Sequence, residues 1–123
     1  MSNPSKAKGT AAETAFVAYL RRRGWLHAER RALSGSQDKG DVAGLPGVVL
    51  EVKNCRTVQL GAWLKEAAVE QRNADAVLGV VVNKPHGVGL DRVGDWHAHL
   101  TVRQLCDLLA AAGYRAGAQD GAS

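Results

Sequence analysis

At 123 residues the chain has room for one domain with one modest core, not for two independently stable units. No run approaches the roughly eighteen apolar residues of a membrane span, and the N-terminus lacks the apolar core of a secretory signal, so a soluble cytoplasmic domain is expected. The net charge of +4 is unevenly spread: residues 1 to 31 carry Lys6, Lys8, Arg21, Arg22, Arg23, Arg30 and Arg31 against Glu13 and Glu29, a local balance of +5 that leaves −1 for the rest. A basic segment of this kind suits a polyanionic partner, with solubilising surface charge as the plainer alternative. Cys55 and Cys106 lack metal-type spacing and are expected as free thiols.

Residues 1–9 are small, polar and basic, and read as a flexible arm whose Lys6 and Lys8 can contact nucleic acid. A single domain is expected over 10–113, followed by a flexible tail over 114–123. Thr10-Ala11-Ala12-Glu13 matches a capping box, which predicts a helix from Thr10 to about Arg23 that stops at Gly24. Glu13, Phe16, Val17 and Leu20 share one helical stripe. The Glu13 carboxylate therefore lies on the core-facing side, a position that capping alone does not explain. Trp25 to Arg31 reads as a first strand, with Trp25 anchoring the core. Ala32 to Gly40 is a loop rich in turn formers, where the hydroxyls of Ser34 and Ser36 could contact phosphate or simply line a connector.

The stretch from Gly40 to Lys53 carries ionisable residues where a strand normally carries apolar ones. Side chains alternate along a strand, so Val48, Leu50 and Val52 share one face while Val49, Glu51 and Lys53 share the other. Pro46-Gly47 suits the centre of a type II turn, which returns Asp41 alongside the second strand. Simple pairing of Leu45 with Val48 sets Asp41 opposite Val52, on the wrong face. A bulge at Gly44, or an equivalent distortion, would bring Asp41 to Glu51.

A helix is predicted over about 60–73, packing through Leu60, Trp63, Leu64, Ala67, Ala68 and Ala74, with Gln71 in line and Glu66, Glu70 and Arg72 on a solvated face. Ala76 to Val82 has almost no polar alternation, the mark of a strand covered on both faces. Lys84 at its tip could reach a phosphate or face water. Asp95 to Leu100 reads as an edge strand whose His97 and His99 are surface residues. Thr101-Val102-Arg103-Gln104 is a second capping box, opening a helix with Leu105, Leu108, Leu109 and Ala112 inward and Gly113 at its end.

Two carboxylates on neighbouring strands, a third on a helix facing them and a lysine two residues beyond one of them make a specific arrangement. Acidic oxygen ligands select hard divalent cations such as Mg²⁺, with Mn²⁺ as a substitute. Such an ion lowers the pKa of a water and neutralises charge at phosphorus, while Lys53 orients the water or stabilises the transition state. These parts suit phosphodiester hydrolysis. Asp41, nine intervening residues and Glu51-Val52-Lys53 resemble the PD-(D/E)XK signature of restriction-endonuclease-like nucleases, with Gly40 standing where a proline usually precedes the aspartate. Gly9-Thr10-Ala11-Ala12-Glu13, Arg30-Arg31, Ser34-Gly35-Ser36 and Glu51-Val52-Lys53-Asn54 further resemble the archaeal-type and phage Holliday-junction resolvases. The resemblance covers roughly residues 9–84.

It implies an α/β fold with a restriction-endonuclease-like core: a central mixed β-sheet flanked by helices in the order α-β-β-β-α-β, here with an extra C-terminal strand and helix. It also implies Asp41 and Glu51 as metal ligands with the Val52 carbonyl, Glu13 completing or tuning the site, Lys53 acting on the water, and Arg30 or Arg31 holding the scissile phosphate. Resolvases of this kind are homodimers that cut four-way DNA junctions. A repair or restriction nuclease acting on non-junction DNA, a catalytically silent DNA-binding module of the same fold, and an α/β domain in which Asp41, Glu51 and Lys53 merely pair are the competing readings.

Overall fold

The computed structural model describes residues 4–31 and 38–114. Helix α1 (Pro4–Arg22) leads to β1 (Glu29–Arg30), β2 (Val42–Ala43) and β3 (Val48–Lys53). Then come α2 (Leu60–Asn73), β4 (Leu78–Asn83), a 3-10 turn (Val93–Asp95), β5 (His97–His99) and α3 (Val102–Ala111). This is an α/β fold, and the element order is the expected one. Its centre is a three-stranded mixed sheet in the order β3-β4-β5, with β3 and β4 parallel and β5 antiparallel on β4. A separate two-stranded ladder joins β1 to β2.

The alternation of β3 and β4 sets the layers. Leu50, Val52, Val80 and Val82 pack with Ala12, Phe16, Val17 and Leu20 of α1, while Val81 turns the other way onto Trp63 and Ala67 of α2. Each fully buried aliphatic side chain contributes about 1.5–3 kcal/mol through apolar area removed from water. The sheet is thus covered on both sides, as the unbroken apolar run near β4 predicts. Glu51 and Lys53 alternate with Leu50 and Val52, so they belong to the α2 side.

Several expectations are corrected. The first helix begins at Pro4, not Thr10, so residues 4–9 are helical and not a flexible arm. Thr10 lies inside this helix, where its carbonyl accepts a hydrogen bond from Thr14 Oγ1 at 2.9 Å, and Glu13 has no capping role. Pro4 at the first helical position is the real start signal, because its missing N–H costs nothing there. The first strand shrinks to Glu29–Arg30, and Trp25 is 49% exposed instead of anchoring the core. Residues 115–123, most of the predicted tail, lie outside the described residues.

Helix α2 has the predicted bounds, but Glu70 is buried and not solvated. Helix α3 is capped as expected, with Gln104 N–H donating to Thr101 Oγ1 at 3.2 Å and Gly113 at φ +95° beyond its end. Its leucines do not face inward: Leu105, Leu108 and Leu109 are exposed, and Gln104 makes the inward contact, donating to Gln71 and accepting from Gly79 N–H. Both cysteines are free and exposed. His97 is exposed, and His99 is half-buried and hydrogen-bonded to Asn83. Among the described residues, no helix is long and apolar enough to cross a membrane.

Candidate metal centre and cationic clefts

Three backbone features carry Asp41 to Glu51. Gly47 at φ +82° and the Val48 N–H to Leu45 carbonyl bond at 3.1 Å close the turn at Pro46-Gly47. Gly44 at φ +96° bends the chain before it. A β-carbon at Gly44 would come within 2.0 Å of the His27 carbonyl oxygen, so this close backbone approach admits only glycine. The distortion is a bend rather than a bulge in a hairpin ladder, because β2 pairs with β1. Asp41 then bridges the two sheets: its N–H donates to the Leu50 carbonyl at 2.9 Å, and its own carbonyl accepts from Arg31 at 2.8 Å.

The Asp41 carboxylate caps β3. Its Oδ2 accepts from Val52 N–H at 2.7 Å, so its contacts straddle Glu51. The N–H and C=O of one strand residue point to the same side, which turns the Val52 carbonyl toward Asp41 as well. Gly40, preceding this aspartate, has φ +97°. Proline is locked near −65°, so the departure from the family's usual proline has a backbone cause.

Electrostatics bind these groups into one site. Burial pushes the Asp41 carboxyl up to about 6 against the relief given by Val52 N–H, with the Glu13 charge adding to the rise. Burial and then the charge of Asp41 push Glu51 up to about 10, with Glu70 and Glu66 contributing. Lys53 donates to Glu66 Oε1 at 2.7 Å and lies 3.1 Å from Glu51 Oε2. Burial alone would lower the Lys53 pKa, but these two carboxylates outweigh it and hold the ammonium above the ordinary lysine value. Glu13 approaches from the α1 side and is ion-paired with Arg30 at 3.0 Å.

The α2 side supplies carboxylates that the sequence reading assigned to solvent. Glu66 holds Lys53, and Glu70 is 1% exposed with burial raising its carboxyl to about 8. The signal was present in the spacing, since Glu70 continues the buried Trp63 and Ala67 stripe at i+7 and i+3. Asp38, Glu51 and Glu70 each offer an oxygen, and these lie within 4.8 Å of one another. Asp41 and Glu13 are not members of that triple.

Two cationic clefts flank α1. One, of about 420 Å³, is lined by Lys6, Thr10, Glu13, Arg30, Arg31 and Asp41. The other, of about 410 Å³, is lined by Lys8, Asn54, Arg56, Lys84 and His86. The structure therefore gathers Glu13, Asp41, Arg30, Arg31 and Lys6 in one cleft, and Lys8 and Lys84 in the other. Ser34 and Ser36 lie outside the described residues. No family model matches the chain, and neither a curated protein nor a solved structure matches it.

Proposed function

We propose that the chain is a metal-dependent endonuclease that hydrolyses DNA phosphodiester bonds, with four-way junctions or other branched DNA as substrate. The observation that carries this reading is the meeting of Asp41 and Glu51 beside an ion-paired Lys53, with Asp41 opening into a cleft that also bears Arg30 and Arg31. The choice of branched DNA rests on the resolvase resemblance, and two symmetric cuts call for a homodimer.

The donor set fits a hard cation. It is all oxygen, and Glu51 Oε1 is buried without a hydrogen-bond partner. Asp41, Glu51 and the Val52 carbonyl would hold the ion. When bound, Mg²⁺ or Mn²⁺ supplies positive charge against the phosphate and lowers the pKa of a water. Lys53 stays protonated between Glu66 and Glu51, so it acts as a fixed cation that orients the water or meets the developing charge, not as a base. Glu13 fixes Arg30, which with Arg31 holds the scissile phosphate, while Lys6, Lys8 and Lys84 take flanking phosphates. The water oxygen bonds to phosphorus and releases a proton to solvent as the bond to the leaving sugar oxygen breaks, and that oxygen takes a proton from solvent.

Cleavage of a synthetic four-way junction and of a linear duplex, each with Mg²⁺, tests the reading. The junction is expected to be cut faster, and Asp41→Asn to abolish cutting of both. Equal rates on the two substrates would transfer the chain to the repair or restriction nucleases. Cutting that persists in Asp41→Asn would exclude this site.

A further inference from the structure

We propose that Asp38, Glu51 and Glu70 form a second divalent-cation site, separate from Asp41 and sharing Glu51 with the centre described above. The inference uses the nuclease reading only through that shared residue. One oxygen from each of the three side chains lies within 4.8 Å of the others. Opposed oxygens around Mg²⁺ stand about 4.2 Å apart and around Ca²⁺ about 5 Å, from metal–oxygen distances of about 2.1 and 2.5 Å. The three oxygens are near enough to one another for a single cation to reach all of them.

An independent observation points to what fills it. Glu70 is 1% exposed, and no N–H or hydroxyl donor reaches either of its carboxylate oxygens, whose polar neighbours are the carboxyls of Glu51 and Asp38. Glu51 is 5% exposed, and its Oε1 also lacks such a donor, whereas Oε2 lies beside Lys53. Burying carboxylate oxygens with nothing to replace water is costly. Lys53 directs its contacts to Glu51 and Glu66, and none reaches Glu70. A hard cation takes one oxygen from each of Asp38, Glu51 and Glu70, and the remaining coordination positions are left for water or phosphate oxygens.

The third ligand is held in place before any ion arrives. Asp38 Oδ1 accepts from Gly40 N–H at 2.9 Å, and the Asp38 carbonyl accepts from Asn73 Nδ2 at 2.8 Å. The second bond ties this segment to the last turn of α2, the helix that carries Glu70. Asp38 is itself exposed, which gives the ion a way in from solvent.

Titration of the full chain with Mn²⁺ in the absence of DNA, followed by loss of the free-ion electron paramagnetic resonance signal, counts the sites. The native protein is expected to bind two Mn²⁺. Glu70→Gln and Asp38→Asn should each weaken one of them at least tenfold and spare the other, and Asp41→Asn should weaken the other one. Asp38→Asn keeps the oxygen that accepts from Gly40 and changes an exposed side chain, so it decides the matter if Glu70→Gln fails to melt cooperatively. A native protein that binds no Mn²⁺, or variants at Asp38 and Glu70 that keep every ion the native protein binds, would overturn the site. Two bound ions without DNA cleavage would sink the nuclease reading and leave this site standing. One bound ion, weakened by Asp41→Asn and kept by Glu70→Gln and Asp38→Asn, with cleavage lost in Asp41→Asn, would do the reverse.

Discussion

Asp41, Glu51 and Glu70 hold their protons more tightly in the folded chain than in the unfolded one, because burial and mutual repulsion penalise their charged forms. A carboxyl whose folded pKa is raised contributes stability that is present below its unfolded value near 4 and is lost as pH rises through its folded value. These folded values are about 6 for Asp41, about 8 for Glu70 and about 10 for Glu51. The melting temperature in a chelator is therefore expected to fall steadily from pH 5 to pH 9, by several degrees for a domain of this size. Added Mg²⁺ should recover more of it at pH 9 than at pH 5. Thermal melts at three pH values with and without the ion measure both effects, and a melting temperature that rises with pH would contradict the electrostatics described here. Of the residues involved, Asp41, Glu51 and Lys53 were legible from their spacing and strand alternation. Glu70 was signalled by its place on the Trp63 and Ala67 stripe, but a single glutamate on a helix normally faces water, and that expectation outweighed the spacing.

At the scale of elements, the bend at Gly44 decides whether the centre assembles. A methyl group there meets the His27 carbonyl oxygen at 2.0 Å, on a backbone at φ +96° that L-residues rarely adopt. Gly44→Ala is expected to cost about 2 kcal/mol or more, read as a lower urea midpoint, and to reduce cleavage through displacement of Asp41. A variant as stable as the native chain would show that the His27 contact yields easily. The need for a distortion near Gly44 was legible because the plain hairpin register put Asp41 on the wrong face. Its form was not, because the pairing of β2 with β1 is a long-range choice that no local pattern announces. Helix α3 shows the opposite limit. Its capping box and terminal glycine fixed the helix correctly, but the inward face is set by Gln104 meeting Gly79 and Gln71, and the apolar periodicity pointed elsewhere.

Across the whole molecule, four of the seven cations of the first thirty-one residues line the two clefts, Lys6, Arg30 and Arg31 in one and Lys8 in the other, where Arg56 and Lys84 join it. If both clefts track phosphates, each neutralised contact adds a released counterion to the binding equilibrium. Arg56→Ala and Lys84→Ala should each lower the slope of log affinity against log salt by about one, uniformly across DNA sequences. Lys65→Ala, on the exposed side of α2, should leave the slope unchanged. Binding isotherms at several salt concentrations make the comparison, and equal slopes for all three variants would remove the second cleft from the DNA path. The helices and the strand covered on both faces were readable from periodicity and the α/β class came with the resemblance, whereas the two-cleft arrangement depends on α1 beginning at Pro4.

The division of the strands into two ladders has a temporal consequence. Glu51 and Lys53 sit opposite Val81 and Asn83 in the six-residue parallel ladder of β3 and β4, while Asp41 hangs from the two-residue ladder of β1 and β2. Short, edge-placed ladders open locally, and buried central strands exchange their amide hydrogens only when the whole domain unfolds. Deuterium uptake should therefore reach the Asp41 amide, and the Val52 amide that donates to the Asp41 carboxylate, before the Glu51 amide of the β3–β4 ladder, with the proposed centre splitting into a half that breathes and a half that persists. Gentle warming would then open the Asp41 half while the rest of the fold remains intact, and cooling would close it without refolding.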